Sequence, residues 1–289
     1  MMLKASPKSA VSSLEPNMRA NTRALISDPR FTVQDFGPKG KWGLLSFTSP
    51  REMLECVKQH ARTTNERAWT SDPEWCGLGS QSVADLDASG IPSHALESIR
   101  KADAALSHKH RRPGAVTPAV VGGSWSVPAV LAGLPLAARS RSRTKLAPLT
   151  INLVCTWSSS VSASDLASTF ARLGRAINDY TLAGGAVTLH AHYLGFLHRA
   201  PIDSIKGLII KMRVPTNDLA QLALGCSPLA FRAACGPLVT AVSDSPRDTV
   251  SVPTSEDNPI PSSIYLGGRT STGDIGANLT AVLKALEVR

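Results

Sequence analysis

The segment from residue 149 to residue 166, LTINLVCTWSSSVSASDL, passes from an apolar run through a cluster of serines to a helix start. The apolar run predicts a strand buried on both faces, as in the interior of a parallel sheet. Ser162 and Asp165 have the spacing of a helix-capping pair. The serines between strand and helix predict either a loop that caps the helix or an anion site at the helix N-terminus, assembled from residues 158 to 162.

A second candidate for anion binding is the glycine-rich segment GGRTSTGDIGANL at residues 267 to 279, between a possible strand and a helix. Such loops can hold phosphates, but the Gly-Lys-Ser/Thr ending of a nucleotide-binding loop is absent and only Arg269 supplies charge. A helix cap at Thr272 or Asp274 is the main interpretation. The candidate anion- or partner-binding residues are therefore Thr156, Ser158, Ser160, Arg269 and Thr270.

Three histidines lie close together in the sequence. His190 and His192 are two residues apart on a predicted strand and project from the same face, and His198 follows. Two imidazoles can share a Zn²⁺ ion, but the sequence shows no third ligand of the right type, so we interpret them as polar residues lining one end of the sheet. No metal site is predicted.

Catalytic motifs are also missing. The segment DLDASG at residues 85 to 90 imitates the D-x-D-x-[ST] motif of phosphatases, yet no buried strand precedes it, and a helix end at Gly90 explains it. No G-x-S-x-G, H-E-x-x-H or G-x-G-x-x-G motif occurs in its required context. We expect a protein without cofactor that acts by binding and not as an enzyme, while an anion- or nucleotide-using enzyme stays a third class.

The net charge of +9 suits an anionic partner but is also common in proteins that bind none, and most of the excess lies between residues 101 and 148. Two basic segments there, HKHRRPG and ARSRSRTK, bracket an almost uncharged stretch. They are either solvated linkers or a surface for nucleic-acid phosphates. The candidate residues for phosphate contacts are Arg111, Arg112, Arg139, Arg141, Arg143 and Lys145. Aromatic residues make up only 5%, which counts against sequence-specific reading of RNA bases.

The elements that would position these residues form three predicted parts. Residues 1–28 are predicted as a disordered basic tail, residues 29–148 as an α+β part with basic loops, and residues 149–289 as an α/β domain. The part over residues 29–148 is predicted to contain a hairpin around Gly37 to Gly40 and a helix over 50–61. From residue 149, a strand, a helix and the strand AVTLHAHYLGF form a βαβ unit, followed by the strand KGLIIKMRV.

The resulting fold class is α/β, with a mostly parallel sheet flanked by helices and a helical N-terminal part. A hydrophobic content of 43% in 289 residues is enough for a real core. Five cysteines without a C-x-x-C pair indicate reduced, mostly buried thiols in a cytoplasmic setting. No apolar run is long enough to span a bilayer, so no membrane contact is expected.

Several landmarks resemble a family of uncharacterised proteins encoded by bacterial viruses. They are Trp69, GLGS at 77–80, Gly122-Gly123, SVPAVLAGLP at 126–135, the βαβ unit at 149–195 and FRAACGPLV. The family looks like a von Willebrand factor A-like or Rossmann-like domain behind a helical N-terminal part, and the resemblance covers residues 40–287. It implies a viral or mobile-element origin and no known activity.

Domains of the von Willebrand type bind a divalent cation through D-x-S-x-S at the end of their first strand, since a carboxylate and hydroxyls suit a hard ion. Here the same place reads Thr156, Trp157, Ser158, Ser159 and Ser160, without the carboxylate. The resemblance therefore implies a phage-type accessory or virion-associated protein in the host cytoplasm or virion, which binds a protein partner through a degenerate domain of this type. The alternative is a nucleic-acid-associated protein or virion component that uses the basic loops.

Overall fold

The computed structural model describes residues 20–60, 146–156, 163–182, 185–197, 205–216, 230–243, 256–260 and 263–265. It also describes three short strand segments and eight isolated helical positions, at 97, 100, 101, 104, 222, 225, 280 and 284. Residues 1–19 of the predicted tail over 1–28, the serine cluster over 157–162 and the glycine-rich loop over 267–279 lie outside the described residues. The described part of the predicted tail is not disordered, because Ala20–Ile26 form a helix in which Leu25 is buried.

The described elements are helices and strands that follow one another along the chain. In order they are α1 (Ala20–Ile26), β1 (Phe31–Asp35), β2 (Lys41–Phe47), α2 (Pro50–His60), β3 (Val116–Ala119), β4 (Ser124–Trp125), β5 (Ala138–Arg141), β6 (Leu149–Val154), α3 (Ala163–Leu182), β7 (Val187–Phe196), β8 (Ile205–Val214), a π-helical segment (Ala230–Cys235), α4 (Gly236–Val242) and β9 (Ile264–Tyr265).

Six strands form one mixed sheet in the order β1-β2-β8-β7-β6-β9. The pairs β2–β8, β6–β7 and β6–β9 are parallel, whereas β1–β2 and β7–β8 are antiparallel. The α/β class is therefore confirmed, and the sheet is parallel only in part. The connection from Phe196 to Ile205 is shorter than the dozen or so residues that a parallel crossover needs, which explains why β8 returns antiparallel to β7.

The sheet joins segments that are distant in the sequence. β2 pairs in parallel with β8 over seven residue pairs, from Lys41 with Ile205 to Phe47 with Met212. Strands of one sheet therefore lie on both sides of the predicted boundary at residue 148. A second sheet, in the order β3-β5-β4, is antiparallel and has β5 in its centre.

The predicted hairpin is confirmed, and its turn shows why glycine is needed there. A 3₁₀ turn over Gly37–Lys39 connects β1 to β2, and Gly37 and Gly40 have φ angles of 64° and 79°. Residues other than glycine rarely adopt such positive φ angles. The Asp35 carboxylate accepts a hydrogen bond from the Gly37 N–H at 2.8 Å and fixes the entry to the turn.

The predicted helix over 50–61 is confirmed as α2, and its start is capped by side chains. Ser49 Oγ accepts a hydrogen bond from the Glu52 N–H at 3.2 Å, and the Glu52 carboxylate accepts one from the Thr48 N–H at 2.6 Å. These contacts satisfy amide groups that have no partner within the helix. Met53, Leu54 and Val57 form the buried stripe of the helix.

The predicted βαβ unit is also confirmed, because β6 and β7 are parallel neighbours connected by α3. The apolar side of α3 packs into the core through Phe170, Leu173 and Ile177. Near the end of the helix, the Tyr180 hydroxyl donates a hydrogen bond to the Ala147 carbonyl at 2.7 Å. A Cβ atom at Gly185 would lie 2.1 Å from the Tyr180 ring, so the chain needs glycine where it passes this ring after the helix.

The main core lies on one face of the six-stranded sheet, under α1, α2, α3 and α4. It joins Leu25 of α1, Met53 of α2 and Leu238 of α4 to Leu45, Tyr193 and Ile210 of the sheet. The opposite face carries a smaller apolar cluster of Trp42, Val154, Leu194 and Ile209, with Phe36, Leu44, Phe196 and Ile260 packed around it. Both faces of the sheet therefore carry apolar clusters, and the second face is apolar over only part of its area.

Candidate anion-binding site on the sheet

Five polar side chains on the rest of this second face form a group that we call the polar face: Asn152, His190, His192, Lys211 and Arg213. Successive side chains of a strand alternate between faces, so His190 and His192 share a face with Leu194, and Lys211 and Arg213 share one with Ile209. The antiparallel register places His190 opposite Arg213 and His192 opposite Lys211. Each histidine is thus paired across the strands with a cation. The prediction that the two histidines share one face of the sheet is confirmed.

A single amide oxygen connects the two histidines. Asn152 Oδ1 lies 3.3 Å from His190 Nδ1 and 3.3 Å from His192 Nε2. Because an amide oxygen only accepts hydrogen bonds, both rings donate to it, and each ring keeps its proton on the nitrogen that faces Asn152. The second nitrogen of His192, Nδ1, is buried and has no hydrogen-bond partner among the described residues.

Burial and neighbouring charge keep both imidazoles neutral near neutral pH. Burial, followed by Lys211 and His190, lowers the pKa of His192 to about 3. Burial, followed by Lys211 and Arg213, also lowers the pKa of His190. Removing a charged group from water and placing it beside like charges both disfavour the protonated ring. The positive charge of the polar face therefore resides on Lys211 and Arg213.

Lys211 and Arg213 form no ion pair with the acidic groups in the part of the chain that the structure describes. Arg213 is exposed, whereas Lys211 and His190 are half-buried and His192 is 4% exposed. Two adjacent cations without an ion-paired carboxylate among the described residues suit an anion, above all phosphate oxygens. The same two cations disfavour a metal ion at the histidines.

The sequence-predicted residue Thr156 lies in the interior of the protein. It is fully buried, and its Oγ1 accepts a hydrogen bond from the Leu194 N–H at 2.8 Å. The preceding Cys155 N–H donates to the His192 carbonyl at 2.9 Å, so the Thr156 hydroxyl extends the backbone ladder between β6 and β7. The other predicted anion-site residues, Ser158, Ser160, Arg269 and Thr270, lie outside the described residues.

Of the predicted nucleic-acid contacts, the structure describes the backbone of two. Arg139 and Arg141 lie on β5, the central strand of the three-stranded sheet, where Arg139 is opposite Pro118 on β3 and Ser124 on β4, and Arg141 is opposite Val116. Arg111, Arg112, Arg143 and Lys145 fall outside the described residues. The nucleic-acid assignment of these six residues stays a prediction.

Sequence reasoning missed two groups of residues. Lys211 and Arg213 lie two residues apart in an otherwise apolar strand, KGLIIKMRV. This spacing of two indicates that both side chains lie on one face of the sheet, and it was the signal in the sequence. Asp28, Cys56 and His60 form the second group, whose ligand atoms lie within 4.8 Å of one another. Its signal was the spacing of four between Cys56 and His60 on a helix, which places them on one side.

No protein-family model, curated protein or solved structure matches the chain. The bacteriophage origin and the von Willebrand A-like domain therefore stay predictions. Among the described residues, no helix is both long enough and apolar enough to cross a membrane.

Proposed function

We propose that this protein is a non-enzymatic binding protein that holds nucleic acid by its phosphates, with Lys211 and Arg213 of the polar face as the principal contacts. The observation that carries the proposal is the pairing of two cations with two neutral histidines on adjacent strands, without an ion-paired carboxylate among the described residues. Cations without a counter-ion are free to neutralise phosphate charge.

The overall charge supports this proposal. The chain carries +9, which favours association with a polyanion before any specific contact forms. The basic residues that the sequence singles out, including Arg139 and Arg141 on β5, supply a second set of phosphate contacts within this proposal. The half-buried His190 adds a nitrogen acceptor that suits a sugar hydroxyl.

A protein partner is the second candidate function, and a different part of the same sheet face favours it. Phe36, Leu44 and Phe196 pack around the buried Trp42 but stay partly exposed. Partly exposed aromatic and aliphatic side chains beside cations resemble the composition of protein interfaces. For the location of either activity, the host cytoplasm or the virion stays our proposal, which follows from the sequence resemblance alone.

The test measures binding of the full chain to labelled single- and double-stranded nucleic acid at about 50 and 200 mM salt, the range over which phosphate contacts show. The variant Lys211→Gln/Arg213→Gln removes two charges from the polar face. The matched control is Lys41→Gln/Lys206→Gln, which removes the same charge from two exposed lysines. Lys41 is the first residue of β2 and Lys206 is the second residue of β8. A third variant, Arg139→Gln/Arg141→Gln, tests the residues singled out by the sequence.

We expect the wild-type affinity to fall with salt, and the polar-face variant to reduce the log–log slope by about 1.4 to 1.8, which corresponds to two phosphate contacts. The control should keep the wild-type slope. Equal losses in both variants would contradict the assignment to the polar face, because they would reflect net charge alone. Absence of binding at both salt concentrations would reject the nucleic-acid function and favour the protein partner.

A further inference from the structure

A cluster of metal-ligand side chains lies where the turn between α1 and β1 meets α2, and its Cys56 belongs to the main core and not to the polar face. Glu52, Cys56 and His60 recur at intervals of four on α2, so they lie along one side of the helix. Asp28, in the turn, faces this side of the helix, where His60 Nε2 lies 3.7 Å from Asp28 Oδ2. The cluster thus combines a carboxylate, a thiol and an imidazole from two elements.

The distances suit a metal ion. One ligand atom of each of Asp28, Cys56 and His60 lies within 4.8 Å of the others. Cys56 is 1% exposed, and the side chains of Asp28 and His60 are 7% and 11% exposed. His60 Nε2 is buried and has no hydrogen-bond partner among the described residues, so a metal ion could bind it without displacing a hydrogen bond.

We propose that Asp28, Cys56 and His60 bind one Zn²⁺ ion. Thiolate, imidazole and carboxylate are the ligand types that zinc takes in proteins, and its bond lengths of about 2.0 to 2.3 Å place neighbouring ligands of a tetrahedral site roughly 3.3 to 3.8 Å apart. The separation between His60 and Asp28 already falls in this range, and small side-chain rotations would bring in Cys56. The fourth position is left to water, since Asp28 and His60 reach the surface.

The charges around the cluster also favour a cation. The Arg30 guanidinium donates two hydrogen bonds to the Asp28 carboxylate, at 2.8 and 2.5 Å, the Arg30 backbone N–H donates a third at 2.9 Å, and the guanidinium lies 3.6 Å from Glu52. With Cys56 and His60 neutral, one arginine faces two carboxylates, and the cluster has one excess negative charge. When Zn²⁺ binds, the Cys56 thiol releases its proton to solvent, and three anions then balance Zn²⁺ and Arg30.

Arg30 has a positioning role in this arrangement. Its guanidinium contacts both oxygens of Asp28 and lies over the Phe47 ring, 5.3 Å from the ring centroid. Ligating carboxylates are commonly held by such outer contacts, which orient them toward the metal. The ion would connect the C-terminal end of α2 to the turn before β1, two points that are far apart in the sequence.

The test uses the full chain, prepared without metal and titrated with Zn²⁺ against a chromophoric chelator. Co²⁺ serves as a second probe, because a thiolate–cobalt bond gives a charge-transfer absorption band. The ligand variants are Cys56→Ala and His60→Gln. Their matched controls are Cys155→Ala and His190→Gln, which change the same residue types outside the cluster.

We expect one Zn²⁺ per chain, a cobalt–thiolate band, and a dissociation constant at least about tenfold higher in each ligand variant, since even outer contacts contribute that much. Added Zn²⁺ should raise the melting temperature of the wild type and of both controls but not of the ligand variants. If Cys56→Ala does not fold, His60→Gln carries the test, because Nε2 has no hydrogen bond to lose. Absence of zinc binding, or binding with unchanged affinity in the ligand variants, would overturn the proposal.

Discussion

Thr156 illustrates how one side chain can continue a backbone pattern. The regular ladder between β6 and β7 ends with the Cys155 N–H, and the next bond is made by a hydroxyl in place of a carbonyl. Thr156 and Leu194 are both fully buried, so neither group has access to water in the absence of the other. A buried N–H without a partner costs more than an average hydrogen bond contributes.

We predict that Thr156→Val lowers the free energy of unfolding by about 1 to 3 kcal/mol, because it leaves the Leu194 N–H without its acceptor. Urea denaturation of the wild type and the variant measures the difference. Thr150→Val, at an exposed position of the same strand, is the control and should change stability by less than about 0.5 kcal/mol. Equal stability of Thr156→Val and the wild type would show that the hydroxyl is dispensable.

At the scale of elements, the close approach of β2, β7 and β8 depends on a glycine. A Cβ atom at Gly207 would lie 2.4 Å from the Trp42 ring and 2.5 Å from the Gly195 carbonyl oxygen. The missing side chain lets Trp42 lie across β8 and reach the Phe196 ring, whose centroid is 5.5 Å away. The apolar cluster on the second sheet face therefore requires glycine at this position of β8.

We predict that Gly207→Ala destabilises the protein by about 1 to 3 kcal/mol, since a methyl group in this packed site must displace either a buried ring or a strand backbone. Thermal and urea unfolding measure the loss. Ser46→Ala, at an exposed position on the neighbouring strand β2, provides the control. A variant with wild-type stability in both measurements would contradict this packing argument.

At the scale of the whole molecule, the neutral histidines make global stability depend on pH. In the folded protein the pKa of His192 is lowered to about 3, well below its value of 6.5 in an unfolded chain. Below pH 6.5 the unfolded chain takes up a proton that the folded protein does not, so stability is lost as pH falls toward 3. The groups facing His192 are Asn152, His190 and Lys211, none of which is an acid.

We predict that unfolding free energy falls between pH 6.5 and pH 5, and that His192 contributes a slope of up to about 1.4 kcal/mol per pH unit, the value for one proton. His192→Gln should reduce the slope of unfolding free energy against pH by the contribution of His192, because the glutamine side chain does not titrate. The other histidines contribute to both proteins and cancel in the comparison. Urea denaturation across this pH range measures the slopes, and equal slopes would rule out a buried neutral His192.

The sequence by itself determined the local elements of this protein. Short β-type runs on both sides of a glycine-containing turn predicted the hairpin at Gly37 to Gly40. Apolar residues at helical spacing predicted α2 and α3, because this pattern depends only on the geometry of one element. Only the tertiary structure decided that β8 runs antiparallel to β7 and that Lys211 and Arg213 lie beside the histidines. It also brought Asp28 to Cys56 and His60. The order of the strands and the clustering of these side chains depend on contacts between residues that are distant in the sequence. The spacing of residues within one helix or strand contains no information about such contacts.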